Sequence, residues 1–169
     1  QTPLLAKGVY GECKVLCENL IGMYRSRCEL DATVIRATPL FGCGTDKPKF
    51  IYTFIEMAKK GQSIKTHMYK NSPARISLLH VSDFARAVKS VIVKDFTGNI
   101  NVGGAGQSST FDIAKYIVSA LNSTSAVEFK HIDEYVSNVR FDNSYALDIL
   151  GWKPEISELD GLAEIINFT

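Results

Sequence analysis

Residues 8–36, GVYGECKVLCENLIGMYRSRCELDATVIR, decide the fold. Over 8–25 the apolar side chains fall at helical spacing: Val9, Cys13, Leu16, Leu20 and Met23 make one stripe. Tyr10, Lys14, Cys17 and Ile21 make a neighbouring stripe, while Glu12, Glu18, Asn19 and Ser26 lie outside both. At about 100° per residue the two stripes cover about half the helix circumference. A surface helix of a monomer shows a narrower arc. The pattern therefore predicts two contacts, one to the chain's own core and one to something else. Ala32–Arg36 breaks the helical period with a short β-rich run, read as a buried strand. A Pro- and Gly-punctuated loop, Thr38-Pro39-Leu40-Phe41-Gly42-Cys43-Gly44, follows it.

The alternation continues downstream. A helix is predicted over about 48–60, with Phe50, Ile51, Phe54, Ile55 and Ala58 on one face and Gly61 as its cap. Ile64–Tyr69 alternates like a half-exposed strand, and Ile76–Val81 reads as another. Ser82 is the predicted N-cap of a helix carrying Phe84, Ala87, Val88, Val91 and Ile92. Asn99–Val102 reads as a strand and Val127–Phe129 as a short one. Ser109–Asp112 and Ser157–Asp160 have capping-box patterns, and Tyr145–Leu150 is a short helix stopped by Gly151. Strands alternating with helices give an α/β protein. There is no internal repeat and no linker, so the chain reads as one compact unit.

Composition narrows the function classes. The 169 residues are 46% hydrophobic and 22% charged, the proportions of one globular domain. With 19 basic and 18 acidic residues, the net charge of +1 gives no field for nucleic acid or an anionic membrane. No apolar run reaches the roughly 18 residues of a membrane helix. Cys13, Cys17, Cys28 and Cys43 lack CxxC spacing and read as small apolar residues of a reduced, cytoplasmic protein. His67, His80 and His131 are scattered, so no metal site is expected. Gln1-Thr2-Pro3 reads as the middle of a loop, which suggests a truncated chain.

The sharpest chemical feature is Tyr10-Gly11-Glu12-Cys13-Lys14. Residues four apart on a helix point the same way. An ammonium beside a phenol favours the phenolate. Such a tyrosine can exchange a proton with a substrate hydroxyl or carbonyl. The same spacing also arises where a core tyrosine lies beside a surface lysine.

Five segments in order give the spacing its context. They are Pro3 with Tyr10-Gly11-x-x-Lys14 and Glu18; Val34-Ile35-Arg36 with Phe41-Gly42; Arg75–Asp83 (RISLLHVSD); Asn101-Val102-Gly103-Gly104 with Ser108–Ile113; and Arg140-Phe141-Asp142 with Leu150-Gly151-Trp152-Lys153-Pro154 and Gly161-Leu162. Together they resemble the extended short-chain dehydrogenase/reductase superfamily, the NAD-dependent sugar-nucleotide epimerases and dehydratases, over nearly the whole chain. The resemblance implies the C-terminal portion of a Rossmann-like fold with a smaller substrate-binding subdomain. Residues 1–45 would be the remnant of the Rossmann core with the YxxxK helix. Residues 46–169 would be mainly the substrate-binding subdomain, with returning core elements.

By the same resemblance Tyr10 is the acid/base, and Lys14 holds the nicotinamide ribose and tunes Tyr10. Thr38 and Pro39 fall at the cofactor site, and one of them stands where many members carry an Asn that contacts the substrate. Arg75, Arg140 and Phe50 fall on the substrate side, Arg75 at the diphosphate, where a guanidinium fork suits phosphate. The glycine-rich turn that seats the pyrophosphate and the Ser/Thr partner of the tyrosine are absent from the sequence, and Gly103-Gly104-Ala105-Gly106 does not replace the turn. The expected function is thus the C-terminal part of an NAD- or NADP-dependent nucleotide-sugar epimerase or dehydratase. As this fragment it would be inactive and bind little or no cofactor. The alternative is a non-catalytic nucleotide-sugar-binding or assembly module. Homo-oligomerisation or a partner chain is expected through the 9–23 helix, where family members pair.

Overall fold

The computed structural model describes residues 8–44, 50–136, 138 and 140–169. The expected loop at Gln1-Thr2-Pro3 and the start of the 48–60 helix lie outside them. The order is α1 (Gly8–Cys28), β1 (Thr33–Ala37), β2 (Leu40–Phe41), α2 (Phe50–Lys59), β3 (Ile64–Tyr69), β4 (Arg75–Ile76), β5 (Leu79–His80), α3 (Val81–Val93), β6 (Gly98–Val102), β7 (Ser108–Ser109), α4 (Thr110–Ala120), β8 (Val127–Ile132), α5 (Ser144–Leu150) and α6 (Glu158–Phe168). Three ladders are parallel: β1 with β6, β2 with β5 and β3 with β8. β4 pairs antiparallel with β7.

Local chemistry explains most boundaries. Ser109 and Ser157 cap α4 and α6 by accepting from the backbone N–H of Asp112 and Asp160. Gly151 ends α5 at φ 64°, a left-handed conformation suited to glycine. The cap of α3 differs from expectation: His80, not Ser82, fills it, its imidazole Nδ1 accepting from Ser82 N–H. The predicted Ile76–Val81 strand is instead split into β4 and β5, because Ser77 and Leu78 carry the chain from one partner to the next.

Apolar burial falls into two clusters. The first packs α2, α4 and α6 over β3, around Ile55, Ile64, Ile113, Ile117, Leu162 and Ile165. The second packs α3 and α5 against β6, around Ala87, Ile100, Val102, Leu150 and Trp152. Asp83 joins this cluster to the chain after α5. Its fully buried carboxylate accepts from Arg86 and from the backbone N–H of Glu155 and Ile156, while its carbonyl accepts from the Trp152 indole.

α1 departs from its predicted packing. None of its residues is fully buried. The half-buried side is Gly11, Val15, Glu18, Ile21 and Arg25. Val9, Leu16, Leu20 and Met23 are exposed by 78, 66, 53 and 41%. Polar fastenings hold the helix instead. Arg25 donates to Ala32 O, Gly98 O and Asn99 Oδ1 at the start of the β1–β6 ladder. Glu18 pairs with Arg36 near its end. All four cysteines are free, but Cys13, Cys17 and Cys28 are exposed rather than packed as small apolar residues. No helix among the described residues is long and apolar enough to cross a membrane.

Candidate active site

The bonds of α1 show where its N-terminus lies. Arg25 meets the amino ends of β1 and β6, and Glu18 meets Arg36, next to the last residue of β1. Tyr10 is two turns beyond Glu18, about 12 Å further along the axis. It therefore stands past the carboxyl ends of the parallel strands. In open α/β sheets that is where ligands bind. Lys14 Nζ lies 5.4 Å from the centre of the Tyr10 ring, so the pair shares one face as its spacing predicts. Tyr10 is 78% exposed.

Beyond the end of β6 opens a cavity of about 520 Å³. Gly104, Ala105 and Gly106 form one wall, and Arg140–Ser144, Leu147 and Lys153 form the rest. Asn143 shapes it by clasping Gly103, with Oδ1 accepting from the Gly103 N–H at 2.8 Å and Nδ2 donating to its carbonyl at 2.9 Å. Asp142 carries a carboxylate held below its usual range, first by the Ser144 backbone N–H and further by the Arg140 charge. Arg140 and Lys153 make the rim cationic. Sequence reading missed Lys153 and Asn143 as site residues. Lys153 was visible as the cation inside Leu150–Pro154, whereas the Asn143 clasp had no local signal.

The other candidates are dispersed. Arg75 is exposed on β4, its backbone N–H bonded to Asn138 Oδ1, and does not line the cavity. Phe50 packs edge-to-face on Phe54 against the first core. Thr38 is buried, with its N–H on Val102 O and its hydroxyl accepting from Gly104 N–H. Pro39 beside it is exposed. Among the described residues no group of three or more His, Cys, Asp or Glu side chains is arranged to hold a metal ion.

The glycines after β6 serve packing. A Cβ on Gly104 would lie 1.9 Å from the Leu78 carbonyl oxygen, and one on Gly103 would lie 2.7 Å from Phe141. These positions are filled by protein, not held open for a pyrophosphate. Gly104→Ala is expected to cost about 2–3 kcal/mol by overpacking against backbone. A urea denaturation midpoint unchanged from wild type would contradict this.

The profile of the NAD dependent epimerase/dehydratase family matches residues 1–103. The chain belongs to that family. Similarity extends along nearly its whole length. It is 24% identical over 165 residues to UDP-glucuronic acid decarboxylase 5 of Arabidopsis thaliana, covering 95% of this chain and 47% of that one. It is 24% identical over 175 residues to dTDP-glucose 4,6-dehydratase of Streptomyces niveus, covering 99% and 50%. The structure superposes on a dTDP-glucose 4,6-dehydratase from Bacillus anthracis in complex with NAD at TM-score 0.82 and 21% identity, over 99% of this chain and 54% of that one. It matches a UDP-glucuronic acid 4-epimerase from Bacillus cereus, solved with UDP-glucuronic acid and NAD, at TM-score 0.80 and 18% identity over 99% and 56%. This family member thus has the Rossmann-like α/β fold and spans about half the length of the relatives it matches.

Proposed function

We propose that the chain is the C-terminal part of an NAD(P)-dependent nucleotide-sugar epimerase or dehydratase, with Tyr10 as acid/base and Lys14 beside it. The observation that carries this is the placement of the pair beyond the carboxyl edge of the β1–β6 ladder, with Lys14 over the Tyr10 ring. Tyr10 would take the proton of a sugar hydroxyl and return one to a carbonyl. Lys14 would hold the nicotinamide-ribose end of the dinucleotide, its ammonium lying against the Tyr10 ring. The dinucleotide, when bound, supplies hydride acceptance and return. The residues fit that end only, since the glycines after β6 are occupied by Leu78, Phe141 and Thr38. The 169-residue chain alone therefore binds the dinucleotide weakly and does not turn over.

Arg140 and Lys153 offer cations to the substrate's phosphates, with Arg75 as a second contact from β4. Residues 1–45 would be a core remnant and 46–169 mainly the substrate part with returning elements; Ile35, Ala37 and Leu40 pack with α3, β6 and α5 residues in the second cluster, while Phe41 joins the first. Four free cysteines accord with a reducing, cytoplasmic setting. Calorimetric titration with UDP- and GDP-sugars, with and without NAD, tests the reading. Sugar-nucleotide binding tightened by NAD in the whole protein is expected. Cofactor-independent binding that never leads to turnover would instead establish a binding module.

The exposed apolar side of α1 is the second part of the proposal. Val9, Cys13, Leu16, Leu20 and Met23 pack against a second copy of the chain. Light scattering at tens of micromolar is expected to give a dimer. A monomer, or a dimer insensitive to Leu16→Glu, contradicts it.

A further inference from the structure

The Glu18–Arg36 pair does more than fasten a helix. Lys14 stands between two partners on α1. The Tyr10 ring is one turn before it, and the Glu18 carboxylate is one turn after it. Opposite charges at this spacing attract along a helix face. Left free, Glu18 would compete with Tyr10 for the ammonium. Arg36 prevents this by engaging both carboxylate oxygens. Its Nε donates to Oε1 at 3.1 Å and Oε2 at 2.9 Å, and its Nη2 donates to Oε2 at 2.5 Å. The two side chains are only 21 and 15% exposed, so water screens the pair little. Glu12, the other acidic residue near Lys14, lies two positions before it, a spacing that does not face it.

We propose that Arg36 is a positioning residue for the Tyr10–Lys14 pair: it sequesters Glu18 so that the Lys14 ammonium serves Tyr10. The proposal rests on the acid/base reading of Tyr10 and predicts an asymmetry that a structural ion pair would not produce. Arg36→Gln removes the clamp and releases the competitor. Glu18→Gln removes clamp and competitor together.

In the whole protein, Arg36→Gln is expected to lower kcat on the nucleotide sugar by about tenfold or more, with KM unchanged. Glu18→Gln is expected to stay within about threefold of wild type, and adding it to Arg36→Gln restores kcat to the Glu18→Gln level. Arg36→Lys keeps a cation but loses the fork, so a milder loss, again relieved by Glu18→Gln, carries the test if Arg36→Gln does not fold. A readout independent of turnover uses the 169-residue chain. A zero-length carbodiimide should join Lys14 to Glu18 in Arg36→Gln and not in wild type, seen by peptide mass spectrometry. Equal losses in both single variants with no recovery in the double, or no new cross-link, would overturn the proposal. Turnover unaffected by Tyr10→Phe alongside a new Lys14–Glu18 cross-link would sink the acid/base reading and leave the sequestration intact.

Discussion

Tyr10→Phe is expected to lower kcat on the nucleotide sugar by about 10²–10⁴-fold in the whole protein, the range that positioned proton transfer contributes. KM for the sugar nucleotide should move by less than about threefold, because the ring remains and only the hydroxyl is lost. The substitution should not disturb folding. Tyr10 is 78% exposed and belongs to neither apolar cluster. Steady-state and single-turnover kinetics check the expectation, and a variant that keeps kcat within tenfold of wild type would remove Tyr10 from the chemistry. Lys14→Met should fall in the same direction and also weaken NAD, which separates the role of the lysine from that of the phenol.

The second large effect concerns stability. Asp83→Ala is expected to cost about 3–5 kcal/mol, the range seen when one partner of a buried charged network is removed. The carboxylate is fully buried and accepts from Arg86 at 2.6 Å and from the Glu155 and Ile156 amides at 3.0 Å each. Its removal strands the two backbone donors. For a chain of this size the melting temperature should fall by roughly 10 °C. Asp83→Asn, which keeps one acceptor oxygen, should cost about half as much. A loss below about 1 kcal/mol for Asp83→Ala would mean that the chain after α5 finds other partners.

What the sequence made legible follows from range. Features set within a turn or two could be read directly. The serine caps of α4 and α6, the alternation of β3 and the stop at Gly151 appear as expected. The two-residue strands β2, β4, β5 and β7 are too short to show a period, and pairing across the chain creates them. The imidazole cap of α3 was missed because His80 becomes an acceptor only once β5 delivers it to the helix start. The two apolar stripes read on α1 do not mark its inner side: the half-buried positions include Glu18 and Arg25, and polar bonds hold the helix. The bonds from Arg25 to Gly98 and Asn99 span more than seventy positions and leave no local trace. At the site, the spacing of Tyr10 and Lys14 was visible in the chain. The cavity was not, because it exists only where the loop after β6 meets the residues before α5.

Trp152 is the protein's one tryptophan, 2% exposed, with its indole N–H on the Asp83 carbonyl. It is a built-in optical reporter with a defined field of view. Its emission should be blue-shifted when folded and should follow the second apolar cluster, around α3, α5 and β6, while sensing nothing of the first directly. Far-ultraviolet dichroism, by contrast, weighs the helices of both clusters together. Overlaying the two signals on one melt measures whether the two clusters come apart as a single cooperative unit or in sequence.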